Sequence, residues 1–197
     1  MIMELHKLTT TAVINPSEFE RYIDVLDSLE VVYHGYGKPF VIPDYPCFME
    51  YENNWKSGRI GFTRNTHKHP VLKEMIDKIV EIYSSIFPAQ LNVYAERVHI
   101  IRTIGNVPIH RDEDSRATCI NLGLKNSSGS TTYISSDDKY ENFHETRQGL
   151  KLEDGHLYLM NTDRWHSIES SSNEPRYLVT YAFGRPYIDM KPLFSIE

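Results

Sequence analysis

Cysteine is scarce. The two present in 197 residues, Cys47 and Cys119, are too few for a disulfide framework. Cys119 alternates with apolar neighbours in a strand-like run and reads as a small buried hydrophobe, which fits a reducing cytosol. Long apolar runs are missing too. None approaches the roughly 20 residues that a membrane span needs, and Met1–Lys7 lacks the apolar core of a signal peptide. These absences predict a soluble, cytoplasmic protein with no membrane partner. A basic excess is also lacking: 21 Lys and Arg face 27 Asp and Glu, the net charge is −6, and the cations are scattered. A protein that grips nucleic acid through its phosphates is therefore disfavoured. Neither a repeat nor a low-complexity tract interrupts the chain. Nothing demands a second core, so 1–197 reads as one domain.

The pattern that is present changes near residue 90. Asn15-Pro16-Ser17-Glu18 is a helix start, with Asn15 as cap and Pro16 at the first helical position. Phe19, Tyr22, Ile23, Leu26 and Leu29 follow at helical spacing and predict a helix of about 14 residues. A second helix begins near Pro70, carries a broad apolar stripe from Val71 to Tyr83, and ends before Pro88. Both helices are expected on the outside of a sheet. Between them, Tyr33, Tyr36, Phe40, Tyr45, Phe48, Tyr51, Trp55 and Phe62 alternate with glycines and prolines. The stretch reads as short strands and loops, and its aromatics form a wall on the substrate side or merely cover one face of the sheet. From Leu91 onward, strand-like runs recur near 92–104, 117–124, 131–135, 146–152, 156–160, 165–169 and 176–183. The expected fold is mainly β, a sandwich or jelly roll over 91–190, with a helical and loop-rich part (1–90) packed on it.

Within the β half, His110-Arg111-Asp112 is followed 54 residues after the aspartate by His166, and ten residues later by Arg176. Two imidazoles and a carboxylate occupy one face of an octahedral Fe(II) and leave three positions open, the pattern of a mononuclear iron oxygenase. Chance alone supplies about one His-x-acid triplet in this composition, so the triplet means little by itself. Context raises it. His110 and Asp112, two apart in an extended segment, point to one side. His166 opens a further strand, and Arg176 opens the strongest β run, Arg176–Phe183, where a guanidinium can grip a carboxylate bidentately. Each residue also has an ordinary reading as a turn, Asx-turn or strand residue, Arg176 as a solvent-facing partner of Glu174. His67-Lys68-His69 lacks an acidic third member and reads as a surface or capping pair.

His110-Arg111-Asp112, Arg116–Leu124, Asp154–Leu159, Trp165-His166-Ser167 and Glu174-Pro175-Arg176 together resemble the 2-oxoglutarate and Fe(II)-dependent dioxygenases, in particular the prolyl 4-hydroxylase and aspartyl/asparaginyl β-hydroxylase branches. The likeness covers residues 92 to 185. It implies a double-stranded β-helix, iron held by His110, Asp112 and His166, and 2-oxoglutarate whose distal carboxylate meets Arg176. It further implies an O2-consuming hydroxylase that releases succinate and CO2 and acts on an amino acid, a peptide or protein side chain, or a small metabolite. Leu178 stands where some branches carry a serine that also binds this carboxylate, which leaves Thr180, Tyr133 or Tyr158 to supply a hydroxyl. Arg116, Asn121 and Tyr133 are substrate-binding candidates. Arg116 alternatively balances Asp114 or holds the 2-oxo acid, and Asn121 alternatively makes a cross-strand hydrogen bond. Two readings from other classes stand beside this one: a zinc or cupin-like metalloenzyme on the same triad, and a non-catalytic β-sandwich binding module.

Overall fold

A computed structural model describes residues 4–35, 41–52, 58–112 and 114–194. In chain order the elements are β1 (Leu5–Lys7), α1 (Glu20–Ser28), β2 (Val31–Gly35), β3 (Cys47–Glu52), β4 (Gly58–Arg64), α2 (Pro70–Ile86), β5 (Val98–Gly105), β6 (Val107–His110), β7 (Thr118–Lys125), β8 (Ser130–Ser135), α3 (Phe143–Thr146), β9 (Arg147–Leu150), β10 (Leu157–Asn161), β11 (His166–Ser170), β12 (Arg176–Phe183) and α4 (Tyr187–Met190). They build an eight-stranded sheet in the order β1-β10-β7-β12-β5-β4-β3-β2 and a four-stranded sheet in the order β6-β11-β8-β9. The architecture is a double-stranded β-helix. No helix among the described residues is long and apolar enough to cross a membrane.

Local chemistry explains the two longer helices. The Asn15 side chain accepts from the Ser17 N–H at 3.2 Å, and a single 3-10 turn over Pro16–Phe19 then passes into α1. Pro70 starts α2, where its missing N–H costs nothing, and the helix ends before Pro88. The apolar stripes of both helices, including Tyr22, Leu26, Leu72, Ile79 and Tyr83, pack on the outer face of the large sheet.

Period-two alternation sorts the central strands. Ile120, Leu122 and Leu124 of β7, Leu157 and Leu159 of β10, and Tyr177, Val179, Tyr181 and Phe183 of β12 join the helix-side core. Their neighbours Asn121, Tyr158, Met160, Arg176 and Leu178 turn the other way, and Asn121, Met160, Arg176 and Leu178 line a cavity. Gly155, at φ +83°, shapes the entry to β10. A Cβ there would stand 2.8 Å from the Ile14 carbonyl oxygen, so the turn needs glycine.

The structure departs from the sequence expectation in two places. The run from 92 is not strand at its start: Ala95–Arg97 forms a 3-10 turn, and β5 begins at Val98. Residues before 90 also do more than pack on the β core: β1 is unexpected, whereas the short strands read between the helices are present. This part of the chain supplies β1, which pairs with β10, and β2–β4, which extend the large sheet from β5. Short strands of mixed polarity carry too little periodic signal to fix their bounds; pairing with a formed edge defines them.

Candidate metal centre and active-site cavity

The two histidines meet across a ladder. His166, the first residue of β11, is the register partner of His110, the last of β6, although 54 residues of chain separate His166 from Asp112. Their rings lie 4.1 Å apart, centroid to centroid. The β6–β11 register shifts between His166 and Ile168, the kind of irregularity that re-aims a side chain. After β6 the chain stays extended long enough for Asp112 to share the side of His110. Arg111 turns away and pairs with Asp163 at 2.8 Å. The Asp112 N–H donates to the Thr162 carbonyl at 3.0 Å, which ties the motif to the segment leading into β11. One ligand atom from each of His110, Asp112 and His166 falls within a 4.8 Å cluster that could hold a metal ion.

Hydrogen bonding selects the tautomers. His110 Nδ1 lies 2.9 Å from the Pro108 carbonyl oxygen and His166 Nδ1 lies 2.8 Å from that of Arg164. A carbonyl only accepts, so both Nδ1 atoms carry the proton and both Nε2 lone pairs remain for coordination. Burial, followed by the neighbouring His110, pushes the pKa of His166 down to about 4, so the ring is neutral at pH 7. The carboxylate is divided between two partners: Arg116 Nε donates to Asp112 Oδ2 at 3.2 Å, while Oδ1 lies 3.8 Å from His110 Nε2.

The triad opens onto a cavity of about 190 Å³ between the two sheets. That is far more than the roughly 10–15 Å³ a single water occupies by a comparable measure. Its walls are apolar where Ile60, Phe62, Ile101, Leu152, Ile168 and Leu178 project, and polar at Thr103, Asn121, Thr132 and Arg176. Arg176 is buried and forms no ion pair among the described residues. Its Nη1 donates to Ser130 Oγ at 2.5 Å, and its Nε has no hydrogen-bond partner there. Burial lowers its pKa to about 10, with Asp154 opposing the shift, so the group stays cationic at neutral pH. A buried guanidinium without a carboxylate costs several kcal/mol, and an anion in the cavity would relieve that cost.

The remaining candidates divide by face. Arg116 and Asn121 line the cavity, but Arg116 is engaged with Asp112, and Asn121 Nδ2 sits 3.8 Å from Met160 Sδ. The side chain of Asp114 lies outside the described residues. Tyr133 does not line the cavity: it is on the outward face of β8, its ring under the Arg147 guanidinium at 4.1 Å, because Thr132 takes the inward position beside it. The other proposed hydroxyls also fail to meet Arg176. Tyr158 Oη accepts from the Glu153 N–H at 2.9 Å, and Thr180 is buried without lining the cavity. Ser130 takes that place, while Thr103 and Thr132 line the cavity, and nothing in their sequence context marks them.

The aromatic wall is reduced. Tyr36, Phe40, Trp55 and the side chain of Tyr51 lie outside the described residues. Phe48 belongs to the helix-side core, Tyr33 and Tyr45 are exposed, and Phe62 lines the cavity. Trp165, beside His166, is half-buried and does not line the cavity; its Nε1–H donates to the Asp138 carbonyl at 2.7 Å.

No protein-family model matches the chain. No curated protein matches it by sequence. Solved structures do match. An oxidoreductase of the 2OG-Fe(II) oxygenase family from Burkholderia pseudomallei superposes with a TM-score of 0.57 over 91% of this chain and 84% of its own, at 10% identity. The non-heme α-ketoglutarate-dependent epimerase SnoN from nogalamycin biosynthesis matches at 0.53 over 91% and 78%, with 11% identity. HygX from Streptomyces hygroscopicus, solved with nickel and 2-oxoglutarate bound, matches at 0.50 over 91% and 83%, also with 11% identity. At such identities the likeness concerns the backbone, and the fold of this chain is that of the 2-oxoglutarate and Fe(II)-dependent oxygenases.

Proposed function

We propose that the protein is a mononuclear Fe(II) and 2-oxoglutarate-dependent oxygenase that hydroxylates an amino acid, a peptide or protein side chain, or a small metabolite. One observation carries this reading. Two imidazoles with their Nδ1 protons anchored and one carboxylate converge on a cavity that also exposes a buried guanidinium with an unpartnered Nε. The donor set suits Fe(II), and the orphaned cation suits a dicarboxylic co-substrate.

His110 and His166 would offer Nε2, and Asp112 one carboxylate oxygen. Arg116 fixes the other oxygen and orients the carboxylate. Arg176 would receive the distal carboxylate of 2-oxoglutarate, with the Ser130 hydroxyl holding the guanidinium in place. The apolar residues around the triad exclude water from the reacting carbon. Asn121, on the cavity wall, would offer a hydrogen bond to the bound molecules. When bound, iron, 2-oxoglutarate and O2 would together supply the oxidant for an unactivated C–H bond, with succinate and CO2 as co-products.

Under argon, Fe(II) plus 2-oxoglutarate should give the weak visible charge-transfer band of the chelate, and air should then produce 2-oxoglutarate-dependent O2 uptake. Zinc retained in preference to iron, with neither signal, would move the triad to hydrolytic chemistry, in which Arg176 has no dicarboxylate to bind.

A further inference from the structure

A second recess, of about 450 Å³, adjoins the triad cavity. Phe62 and Arg116 belong to both walls. Three neighbouring strands lead from one space to the other. On β4 the inward row runs Ile60, Phe62, Arg64; on β5 it runs Thr103, Ile101, His99; on β12 it runs Arg176, Leu178 and on to Ala182. One end of this row presents Arg176, the middle is apolar, and the other end presents Arg64 and His99, joined by Arg97 and Arg116.

In a chain of net charge −6, this recess gathers three arginines against one described carboxylate, Glu96. Arg116 is committed to Asp112. Arg64 and Arg97 form no ion pair among the described residues. Arg64 reaches only the Thr63 carbonyl, at 3.5 Å, and its shielded Nε has no partner, while Arg97 lies 5.8 Å from the Tyr94 ring centre. His99 is held neutral, its pKa lowered to about 4 by burial and by Arg64 and Arg116, so it offers a hydrogen bond without charge.

We propose that this recess binds the carboxylate or phosphate of an organic-acid substrate whose apolar body extends past Phe62 into the triad cavity. The proposal rests on the triad cavity being the reaction site. Two separated cationic ends then serve two anions: Arg176 takes the co-substrate, and Arg64 with Arg97 takes the substrate. The apolar stretch between them, Phe62, Ile101 and Leu178, suits the body of the substrate rather than another charge.

The test uses the full chain loaded with Mn(II) and 2-oxoglutarate under argon. Heptanoate, hexyl phosphate and hexan-1-ol share one hexyl body and differ in charge, and each is titrated calorimetrically. At least one anion should bind about tenfold or more tighter than the alcohol, and its preference over the other identifies carboxylate or phosphate chemistry. Arg64→Gln/Arg97→Gln should lose about tenfold or more of that affinity while keeping its 2-oxoglutarate affinity. Arg97 is exposed, so Arg97→Gln alone keeps the fold and must also weaken the anion. Equal affinities for the alcohol and both anions, or anion affinity unchanged in these variants, would overturn the proposal. Arginine-dependent anion binding by a protein that takes up neither Mn(II) nor 2-oxoglutarate would keep the recess as an anion site and reject the oxygenase reading instead.

Discussion

The two faces of the large sheet come from the same strands and have opposite composition. Towards the helices, Tyr177, Val179 and Tyr181 of β12 join a continuous apolar core with α1 and α2. Towards the cavity, the intervening Arg176 and Leu178 meet a much smaller apolar cluster, and the buried groups there include Arg176, Asn121, Thr103 and His166. Apolar burial stabilises by about 25 cal/mol per Å². Buried polar groups with unmet hydrogen bonds cost free energy. The helix side therefore holds the fold together, and the cavity side surrenders stability to keep its chemistry. Substitutions on the two faces should fail in different assays.

The largest effect is expected at the triad. Asp112→Ala removes the anionic ligand, and its loss of Fe(II) or Mn(II) affinity should exceed the roughly 10–100-fold typical of outer-sphere changes, with circular dichroism unchanged. Metal titration checks this; wild-type occupancy in the variant would remove the metal assignment. His67→Ala, away from the cavity, should bind metal normally.

Next comes a reciprocal pair. Ile79→Ala, under α2, should destabilise by about 2–5 kcal/mol in chemical denaturation while leaving 2-oxoglutarate affinity alone. Arg176→Ala should lose about 2–5 kcal/mol of 2-oxoglutarate affinity, and Arg176→Lys less, because lysine keeps the charge but not the fork. Arg176→Met should weaken that affinity as much as the alanine does, with no loss of thermal stability, since it removes a buried unpaired charge. A large fall in melting temperature for Arg176→Met would break the contrast between the faces.

Acid should discriminate more gently. His99 and His166 both titrate near 4 in the folded protein, against an ordinary value near 6.5, chiefly through burial. The unfolded chain therefore binds protons that the fold refuses, so their contribution is fully present above about pH 6.5 and is lost as pH falls towards 4. Metal-free protein should lose on the order of a few kcal/mol over this window, and His166→Gln should lose distinctly less. Denaturant midpoints at pH 7 and 4.5 measure the difference. The smallest effect is at the helix cap: Asn15→Ala should cost about 0.5–2 kcal/mol and change no ligand affinity.

Much of this plan is legible in the sequence. The starts at Pro16 and Pro70 follow from capping and proline chemistry, and the β run from Arg176 to Phe183 agrees with β12 residue for residue. The His110–Asp112 pair shares a side because extended backbone alternates. Alternation, however, says which residues share a face and not which face is inside. That ambiguity assigned Tyr133 to the cavity, whereas Thr132 takes the inward place.

Chain chemistry by itself determined the helices, the strongest strands and the identity of the three ligand candidates, because capping, periodicity and donor type are local properties. Tertiary structure alone decided the rest. Pairing of β11 with β6 brings His166 to His110, and pairing of β10 with β1 and β5 with β4 draws the first part of the chain into the sheet. The meeting of Arg176 with Ser130, and of Arg64 with His99 in one recess, depends on the same closure of the barrel. Such contacts join residues far apart in the chain, and their geometry arises when distant strands find a common register.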